Sequence, residues 1–259
     1  MHIRDWFFYK KGGLLQRMGR PQPSRTAPFC MPEGSKPSDY RARAKSQFAE
    51  VFFEHEGRAI TKWIDYLDVY DRHFAKFRGT PVRMLEVGVL YGGSLELWRK
   101  YLGPDAVLFG IDITPECAQR VDPPNQVRIG SQADADFLRG VVAEMGGLDI
   151  VLDDGSHRGR DQYASFKTLF PLIADGGVYA IEDVHTSYWP GDSEGGYKRR
   201  GTAIELVKQL LDDMHAWFHS RREQLAAKEA ITGIHAYESV VFIDKGRKLR
   251  PLALEQGRP

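Results

Sequence analysis

From residue 82 onward, short apolar runs alternate with segments long enough to form helices, and this alternation constrains the fold more than any other feature. Apolar strands separated by helices predict βαβ units, which build a parallel sheet covered by helices on both faces. We therefore expect the α/β class, with a doubly wound, mostly parallel sheet whose ligand site lies at the carboxyl ends of its central strands. The predicted strands are Val82–Val89, Ala106–Ile113, Val127–Ile129, Leu148–Leu152, Gly177–Ile181 and Ser239–Ile243, and the predicted helices are Ser94–Tyr101, Asp134–Met145, Asp161–Ile173 and Thr202–Phe218.

The rest of the chain divides into a leader, a helical segment and a tail. Glycine and proline are frequent up to residue 40, and because both break helices and strands, we expect a flexible leader there. From Lys62 to Phe77 apolar residues recur at every third or fourth position, which predicts an amphipathic helix. The expected organisation is a leader over 1–40, a helical N-terminal segment over 41–80, the α/β domain over 81–245 and a C-terminal tail over 246–259.

Charge and cysteine content exclude several classes of protein. The chain has 36 Lys and Arg against 35 Asp and Glu, so it lacks the basic excess typical of nucleic-acid binders. Its two cysteines, Cys30 and Cys117, cannot build a disulfide framework. No apolar run reaches the roughly 18–20 residues of a membrane span, and the first residues contain no apolar signal-peptide core. We therefore expect a cytoplasmic protein that binds neither nucleic acid nor membrane.

A glycine-rich turn follows the first predicted strand. Gly88, Gly92 and Gly93 would let the backbone turn tightly and approach a ligand, and Ser94 is expected to cap the helix that follows. The Gly-x-x-x-Gly spacing is not the Gly-x-Gly-x-x-Gly of dinucleotide-binding strands, and no P-loop is present. A nucleotide-type ligand other than a dinucleotide is favoured.

The second predicted strand ends at an acid, Asp112. A carboxylate at such a strand tip can accept hydrogen bonds from both hydroxyls of a ribose. The alternative is that Asp112 caps the helical segment that starts near Thr114.

The pattern Glu-x-Gly-x-x-x-Gly-x-Ser, from Glu86 to Ser94, followed by an acid at the next strand tip, resembles the class I S-adenosylmethionine-dependent methyltransferases, which have a Rossmann-like sheet. The resemblance implies that the Gly88 loop faces the methionine part of the cofactor, Asp112 the ribose and Gln132 the region of the adenine. Gln132 has the simpler alternative of turning the chain. The residues expected to bind S-adenosylmethionine are Glu86, Gly88, Tyr91, Gly92, Ser94, Asp112, Gln132 and Asp153.

Four carboxylates follow the fourth and fifth predicted strands, Asp153 and Asp154 at one tip and Glu182 and Asp183 at the other. Like charges packed together repel, and a cation is the usual way to hold them. Oxygen ligands favour a hard ion, Mg2+ or else Ca2+ or Mn2+, over zinc. Because successive side chains of a strand point to opposite faces, Asp153 and Asp154 cannot serve equally. The alternative is that the acids cap helices and pair with nearby arginines and lysines.

The sequences Asp-Asp-Gly-Ser-His and Glu-Asp-Val-His-Thr-Ser-Tyr-Trp at these tips are similar to the Mg2+-dependent sugar O-methyltransferases of macrolide and related antibiotic pathways, and to the cephalosporin-hydroxylase-type proteins. By this resemblance, which extends from about Lys62 to Lys245, the metal ligands are Asp154, Glu182 and Asp183. His157 is then the general base, and His185 stands near the metal or simply in a loop.

The resemblance implies an O-methyltransferase that moves a methyl group from S-adenosylmethionine to a hydroxyl of a sugar, such as a deoxysugar like rhamnose, on a natural product or nucleotide sugar. We also expect a homo-oligomer. The expected binding partner is a small-molecule substrate, a glycosylated natural product or a nucleotide sugar. Two alternatives stay open: a related methyltransferase or hydroxylase of a non-sugar metabolite, and a non-catalytic S-adenosylmethionine-binding protein. A base beside a metal site argues against the second alternative.

Overall fold

The strands and helices of the chain follow the alternation in its sequence. The computed structural model describes residues 31–191, 193–219 and 230–257. The strands are β1 (Arg83–Val87), β2 (Val107–Asp112), β3 (Gln126–Ile129), β4 (Leu148–Asp153), β5 (Ile173–Ile181), β6 (Ile231–Ala236) and β7 (Val241–Lys245). The helices are α1 (Gln47–Phe53), α2 (Ile64–Phe74), α3 (Gly93–Leu102), α4 (Ala135–Met145), α5 (Gly159–Leu169) and α6 (Ala203–Met214). Short 3-10 helices are formed by Pro37–Arg43, Ala75–Phe77, Pro115–Arg120, Phe170–Leu172, Val184–Tyr188 and Ala216–Phe218.

The strands form one sheet in the order β3-β2-β1-β4-β5-β7-β6. Strands β1 to β5 are parallel, and β7 runs antiparallel to both β5 and β6. The strand order reverses between β1 and β4, where the carboxyl ends of parallel strands open a crevice for a ligand. The predicted doubly wound, mostly parallel sheet is confirmed.

Helices cover both faces of the sheet. Leu138, Phe166 and Leu206 of α4, α5 and α6 pack on one face, in a core with Leu85 and Val151. On the other face α1, α2 and α3 bury a largely aromatic layer over the remaining strand residues. Consecutive residues of β1 and β4 enter opposite cores because side chains alternate along a strand. The largest buried rings of this aromatic layer are those of Phe48, Tyr66, Tyr70, Phe74 and Trp98.

Several predicted boundaries were wrong. The helix expected over Asp161–Ile173 ends at Leu169, because Pro171 supplies no backbone donor for a further turn, and Ile173 already begins β5. The helix expected over Thr202–Phe218 ends at Met214. Strand β6 was not predicted, because this edge strand is only partly buried and lacks a continuous apolar run.

The expected leader lies mostly outside the described residues, which begin at residue 31. The helical segment before the sheet contains α1 and α2, within the range expected for it. Over the ranges that the structure describes, no helix combines the length and apolar character needed to cross a membrane.

Candidate functional site

The turn after β1 is shaped by contacts with neighbouring backbone. Gly88 has φ +96°, and a Cβ there would lie 2.3 Å from the carbonyl oxygen of Asp154. Gly92 has φ +82°, and a Cβ there would lie 2.4 Å from the carbonyl oxygen of Arg120. The Arg120 guanidinium also stands 5.3 Å above the ring of Tyr91. The close approach at Gly88 makes the β1 loop and the acid-bearing end of β4 immediate neighbours.

The sequence predicts that Ser94 caps the helix after β1, but it does not. The N-cap of α3 is Gly92 in the left-handed conformation, and the Ser94 hydroxyl donates instead to Oε1 of Glu86. Glu86 is fully buried, and burial raises its pKa to about 7, although the charge of Lys62 and the bond from Ser94 oppose the rise. Its second oxygen, Oε2, has no hydrogen-bond partner among the described residues.

Asp112 ends β2 beside the same turn. Its Oδ2 accepts hydrogen bonds from the amides of Val89 (3.0 Å) and Leu90 (3.2 Å), and its Oδ1 accepts one from the amide of Thr114 (2.9 Å). Burial would raise the pKa of this carboxyl, but these backbone bonds outweigh it and lower the pKa. Asp112 therefore organises the loop and keeps an ionised carboxylate at the strand tip, with two bonds already accepted at Oδ2 and one at Oδ1.

Gln132 and Asp153 are brought together at the end of β4. Gln132 donates to Asp153 Oδ1 at 3.1 Å, and its own carbonyl oxygen accepts from the amide of Ser156 at 2.8 Å. Asp153 is fully buried and also accepts from Ser165 at 2.5 Å and Tyr179 at 2.8 Å. This placement does not favour the expected contact between Asp153 and the cofactor, because the carboxylate has no exposed surface and already accepts three hydrogen bonds.

Asp154, Glu182 and Asp183 gather where β4 and β5 end. The ammonium of Lys62, whose side chain is 2% exposed, donates to Asp154 Oδ2 and to Glu182 Oε1, both at 2.7 Å. The Tyr70 hydroxyl donates to the same oxygen of Glu182. Burial and the charge of Asp154 raise the pKa of Glu182 well above its usual range, while Lys62 lowers it. Glu182 is thus buried and already engaged.

The remaining carboxylate oxygens of Asp154 and Asp183 face His157. His157 Nε2 lies 3.9 Å from Asp154 Oδ1 and 3.9 Å from Asp183 Oδ2. One ligand atom from each of these three residues lies within 4.8 Å of the others, a group able to hold a metal ion. His157 and Asp183 have φ angles of 54° and 53°, the left-handed region in which non-glycine residues are strained and which concentrates at functional sites.

His185 belongs to an aromatic wall beside Asp183. Its Nδ1 hydrogen-bonds Ser239 and lies 4.0 Å from Asp183 Oδ1. Its ring stacks on Trp63 at 4.8 Å and meets the ring of Trp189 edge-on at 4.6 Å. His185 therefore stands beside the acidic site, with the rings of Trp63 and Trp189 against it.

A second group of possible metal ligands, His73, His235 and Asp244, lies at the side of the sheet formed by β6 and β7. His235 Nε2 bonds Asp244 Oδ2 at 2.7 Å, and His73 Nε2 bonds the Tyr237 hydroxyl at 3.0 Å. Burial lowers the pKa of His73 to about 4. The side chains of this group therefore hydrogen-bond within the protein, and we interpret the group as a polar network and not as a metal site.

Lys62, Tyr66 and Tyr70 were not predicted as site residues. They had been interpreted only as part of an amphipathic helix, yet Tyr66 donates to Asp183 Oδ1 at 2.9 Å, as Lys62 and Tyr70 do to the other acids. The three residues are spaced four apart, so that one side chain with a polar terminal group appears in each turn among the apolar residues. This spacing is the signal that could have identified them.

The sheet order, the acid at the tip of β2 and the turn after β1 define a class I methyltransferase fold. Residues 85–184 match a family model described as a methyltransferase domain. The resemblance predicted from the motifs is confirmed: the chain carries a class I methyltransferase domain.

Among characterised proteins, the chain is similar to antibiotic sugar O-methyltransferases. It is 40% identical over 197 residues to 8-demethyl-8-(2-methoxy-alpha-L-rhamnosyl)-tetracenomycin-C 3'-O-methyltransferase from Streptomyces olivaceus, covering 71% of this chain and 50% of that protein. It is 38% identical to mycinamicin VI 2''-O-methyltransferase from Micromonospora griseorubida, covering 69% of this chain and 47% of that protein. The structure of the MycE methyltransferase in complex with Mg, SAH and mycinamycin VI matches with a TM-score of 0.69 at 34% identity, over 78% of this chain and 54% of that one. The chain spans about half the length of the curated relatives it matches.

Proposed function

We propose that this chain is a Mg2+-dependent O-methyltransferase that moves a methyl group from S-adenosylmethionine to a sugar hydroxyl on a natural product or nucleotide sugar. The observation that carries the proposal is the contact of Gly88 with Asp154, which joins the turn after β1 to the cluster of acids and histidine. A methyl donor above the turn and an acceptor at the acids would then meet.

The residues around the turn fit S-adenosylmethionine. The ionised carboxylate of Asp112 stands at the strand tip where a ribose would bind. Glu86, buried behind the turn, is proposed to interact electrostatically with the cationic methionine end of the cofactor. Gly88, Tyr91, Gly92 and Gln132 keep their predicted roles as proposals, and Ser94 acts through Glu86.

The donor set at the β4 and β5 tips fits a hard divalent cation. Asp154 and Asp183 each present one carboxylate oxygen toward His157. Glu182, the third ligand implied by the resemblance, has Oε1 occupied by Lys62 and Tyr70, so only its other oxygen is available. When bound, Mg2+ supplies Lewis-acid polarisation of the acceptor hydroxyl.

His157 is proposed to accept the proton of that hydroxyl at Nε2. This nitrogen faces the two carboxylates at 3.9 Å, and the ring is 11% exposed, so an acceptor lying against the acids reaches it. The rings of Trp63, His185 and Trp189 form one wall of the same region and would exclude water from it.

The acceptor class rests on the relatives, whose names describe methylation of rhamnosyl and other sugar hydroxyls on antibiotics. A non-sugar acceptor, and a non-catalytic role, remain the alternatives. The homo-oligomer and the cytoplasmic location expected from the sequence also remain predictions.

The direct test is transfer of a labelled methyl group from S-adenosylmethionine to a rhamnosylated polyketide, with the matching aglycone as the control acceptor. We expect label on the glycoside alone, loss of transfer in EDTA and recovery with added Mg2+. Equal labelling of the aglycone would contradict a sugar acceptor, and full turnover in EDTA would contradict the metal.

A further inference from the structure

One stripe of side chains, Lys62, Tyr66 and Tyr70, contacts all three acids at the tips of β4 and β5. The residues are four positions apart: Lys62 lies just before α2, and Tyr66 and Tyr70 lie on its buried face. Lys62 donates to two carboxylate oxygens, Asp154 Oδ2 and Glu182 Oε1. Tyr70 donates to that same Glu182 oxygen, and Tyr66 donates to Asp183 Oδ1.

The stripe divides each aspartate into a held oxygen and an offered one. The oxygens that the stripe does not contact, Asp154 Oδ1 and Asp183 Oδ2, are those at 3.9 Å from His157 Nε2. A donor that fixes one oxygen of a carboxylate also orients the other oxygen. Residues that hydrogen-bond a metal ligand commonly orient the ligand in this way.

Lys62 differs from the tyrosines because it brings a charge. Its ammonium is almost completely buried between Asp154 and Glu182, with Glu86 close enough to interact electrostatically. Two carboxylate oxygens at 2.7 Å favour the charged ammonium of Lys62 over the neutral amine. The chain therefore keeps a permanent cation inside its acidic site.

We propose that Lys62 is an internal counter-ion that lets the acids pack together without a divalent cation, and that Tyr66 is a positioning residue that orients Asp183 toward the cation. The proposal rests on the metal site of the proposed function. It predicts opposite effects for the two residues, since one opposes a second cation and the other prepares a ligand for it.

The magnitudes decide the sign for Lys62. A buried unit charge that contacts the same carboxylates repels a divalent cation, and at an effective dielectric constant of about 20 this outweighs the roughly 10–100-fold that an orienting contact contributes to metal affinity. Lys62→Met keeps most of the aliphatic stem and removes the charge. We therefore expect it to bind Mg2+ more tightly by about tenfold or more. Tyr66→Phe leaves the charge unchanged and should weaken Mg2+ binding by about tenfold.

The experiment combines calorimetric titration with Mg2+ and thermal unfolding with and without Mg2+. Without metal, Lys62→Met should melt well below the wild type, because its acids repel without compensation, and Mg2+ should restore more of its stability than it adds to the wild type. The matched control is Lys245→Met, a lysine at the end of β7 whose ammonium donates to the Phe170 carbonyl at 3.5 Å and lies 5.1 Å above the Phe170 ring. That variant should keep the wild-type response to Mg2+.

The outcomes separate this proposal from the proposed function. Wild-type binding of Mg2+ together with equal or weaker binding by Lys62→Met would overturn the counter-ion alone. A wild type that binds no divalent cation would overturn both. If Lys62→Met does not fold in either condition, Lys62→Gln removes the charge but keeps a donor, and the same increase in affinity is required of it.

Discussion

At the scale of single residues, the position of His157 between Asp154 and Asp183 leads to a prediction about kcat and metal binding. Its Nε2 lies at the same 3.9 Å from Asp154 and from Asp183, a position that suits either a base beside a cation or a ligand of that cation. We expect His157→Ala to lower kcat by about 10²–10⁴-fold, the contribution of a general base, while calorimetry shows unchanged Mg2+ and S-adenosylmethionine binding.

The control for that prediction is His185→Ala in the neighbouring aromatic wall, which should lower kcat much less. A clear loss of Mg2+ affinity in His157→Ala would make this histidine a ligand instead of the base. A fall of less than tenfold in kcat would mean that a group other than His157 accepts the proton of the hydroxyl.

Glu86 supplies a prediction about pH. Burial raises its pKa to about 7 in the folded chain, so the folded state holds this proton more firmly than the unfolded state does. The stability that the bound proton contributes is complete below the unfolded pKa of about 4.3 and is lost as pH rises to about 7. Glu86→Gln, which cannot ionise, should therefore gain stability over the wild type as pH rises from about 5 to about 8, by up to about 3 kcal/mol.

This prediction is measured by denaturant unfolding of both proteins at several pH values, without cofactor. Asp149→Asn is a useful comparison because the Arg83 side chain holds the pKa of Asp149 below its usual range against the effect of burial. The lowered pKa of Asp149 means that the wild type loses stability as pH falls into the acidic range. The unfolding free energy of Asp149→Asn relative to the wild type should therefore decrease as pH rises through that range. A constant difference between Glu86→Gln and the wild type would contradict the assignment.

At the scale of elements, the turn after β1 depends on how closely it approaches β4. Gly88→Ala would combine a positive φ with a Cβ 2.3 Å from the Asp154 carbonyl oxygen, so backbone must move. Gly79→Ala is the matched control, since Gly79 also has positive φ (+67°) but open space around it. We expect Gly79→Ala to cost about 1–2 kcal/mol of unfolding free energy and Gly88→Ala to cost more.

Only the Gly88 variant should also weaken S-adenosylmethionine and Mg2+ binding, because only this glycine sits between the two sites. Urea unfolding and calorimetry check the two parts separately. Equal stability losses in the two variants would mean that β1 and β4 can separate without cost.

Periodicity in the sequence predicted the elements that are buried on a repeating face. The five parallel strands and the helices between them were located this way, and β4 was placed correctly to within one residue. The edge strand β6 escaped, because a partly exposed strand has neither a continuous apolar run nor clean alternation. Ser94 was assigned to a cap because serine favours that position, but the buried Glu86 needed a donor and took its hydroxyl.

The partners of contacts made across the sheet could not be predicted from local patterns. Lys62 reaches Asp154 over 92 residues of sequence and Glu182 over 120, so its role appears only once α2 lies over the strand tips. The motifs did predict that acids and a histidine follow β4 and β5. They did not predict which oxygens would stay available, because that depends on donors from another part of the chain.

At the scale of the whole molecule, the proposed cofactor and metal sites share one edge of one sheet but use different side chains. Asp112 ends β2, and Asp154 follows β4 on the other side of β1. The Gly88 backbone is the described contact that joins them. The two ligands should therefore bind through separable residues and stabilise the same folded chain.

Thermal unfolding of the intact chain tests this separation. A ligand that binds only the folded state adds about 2.7 kcal/mol at about a hundredfold excess over its Kd, which corresponds to roughly 5–10 °C in Tm for a chain of this size. Asp112→Asn should lose the shift caused by S-adenosylmethionine and keep the shift caused by Mg2+, while Asp154→Asn should do the reverse. Each shift is compared with the same variant without ligand, because Asp154→Asn also deprives Lys62 of a partner. If either substitution removed both shifts, the two sites would form a single binding unit, and Asp112 would return to the role of organising the turn.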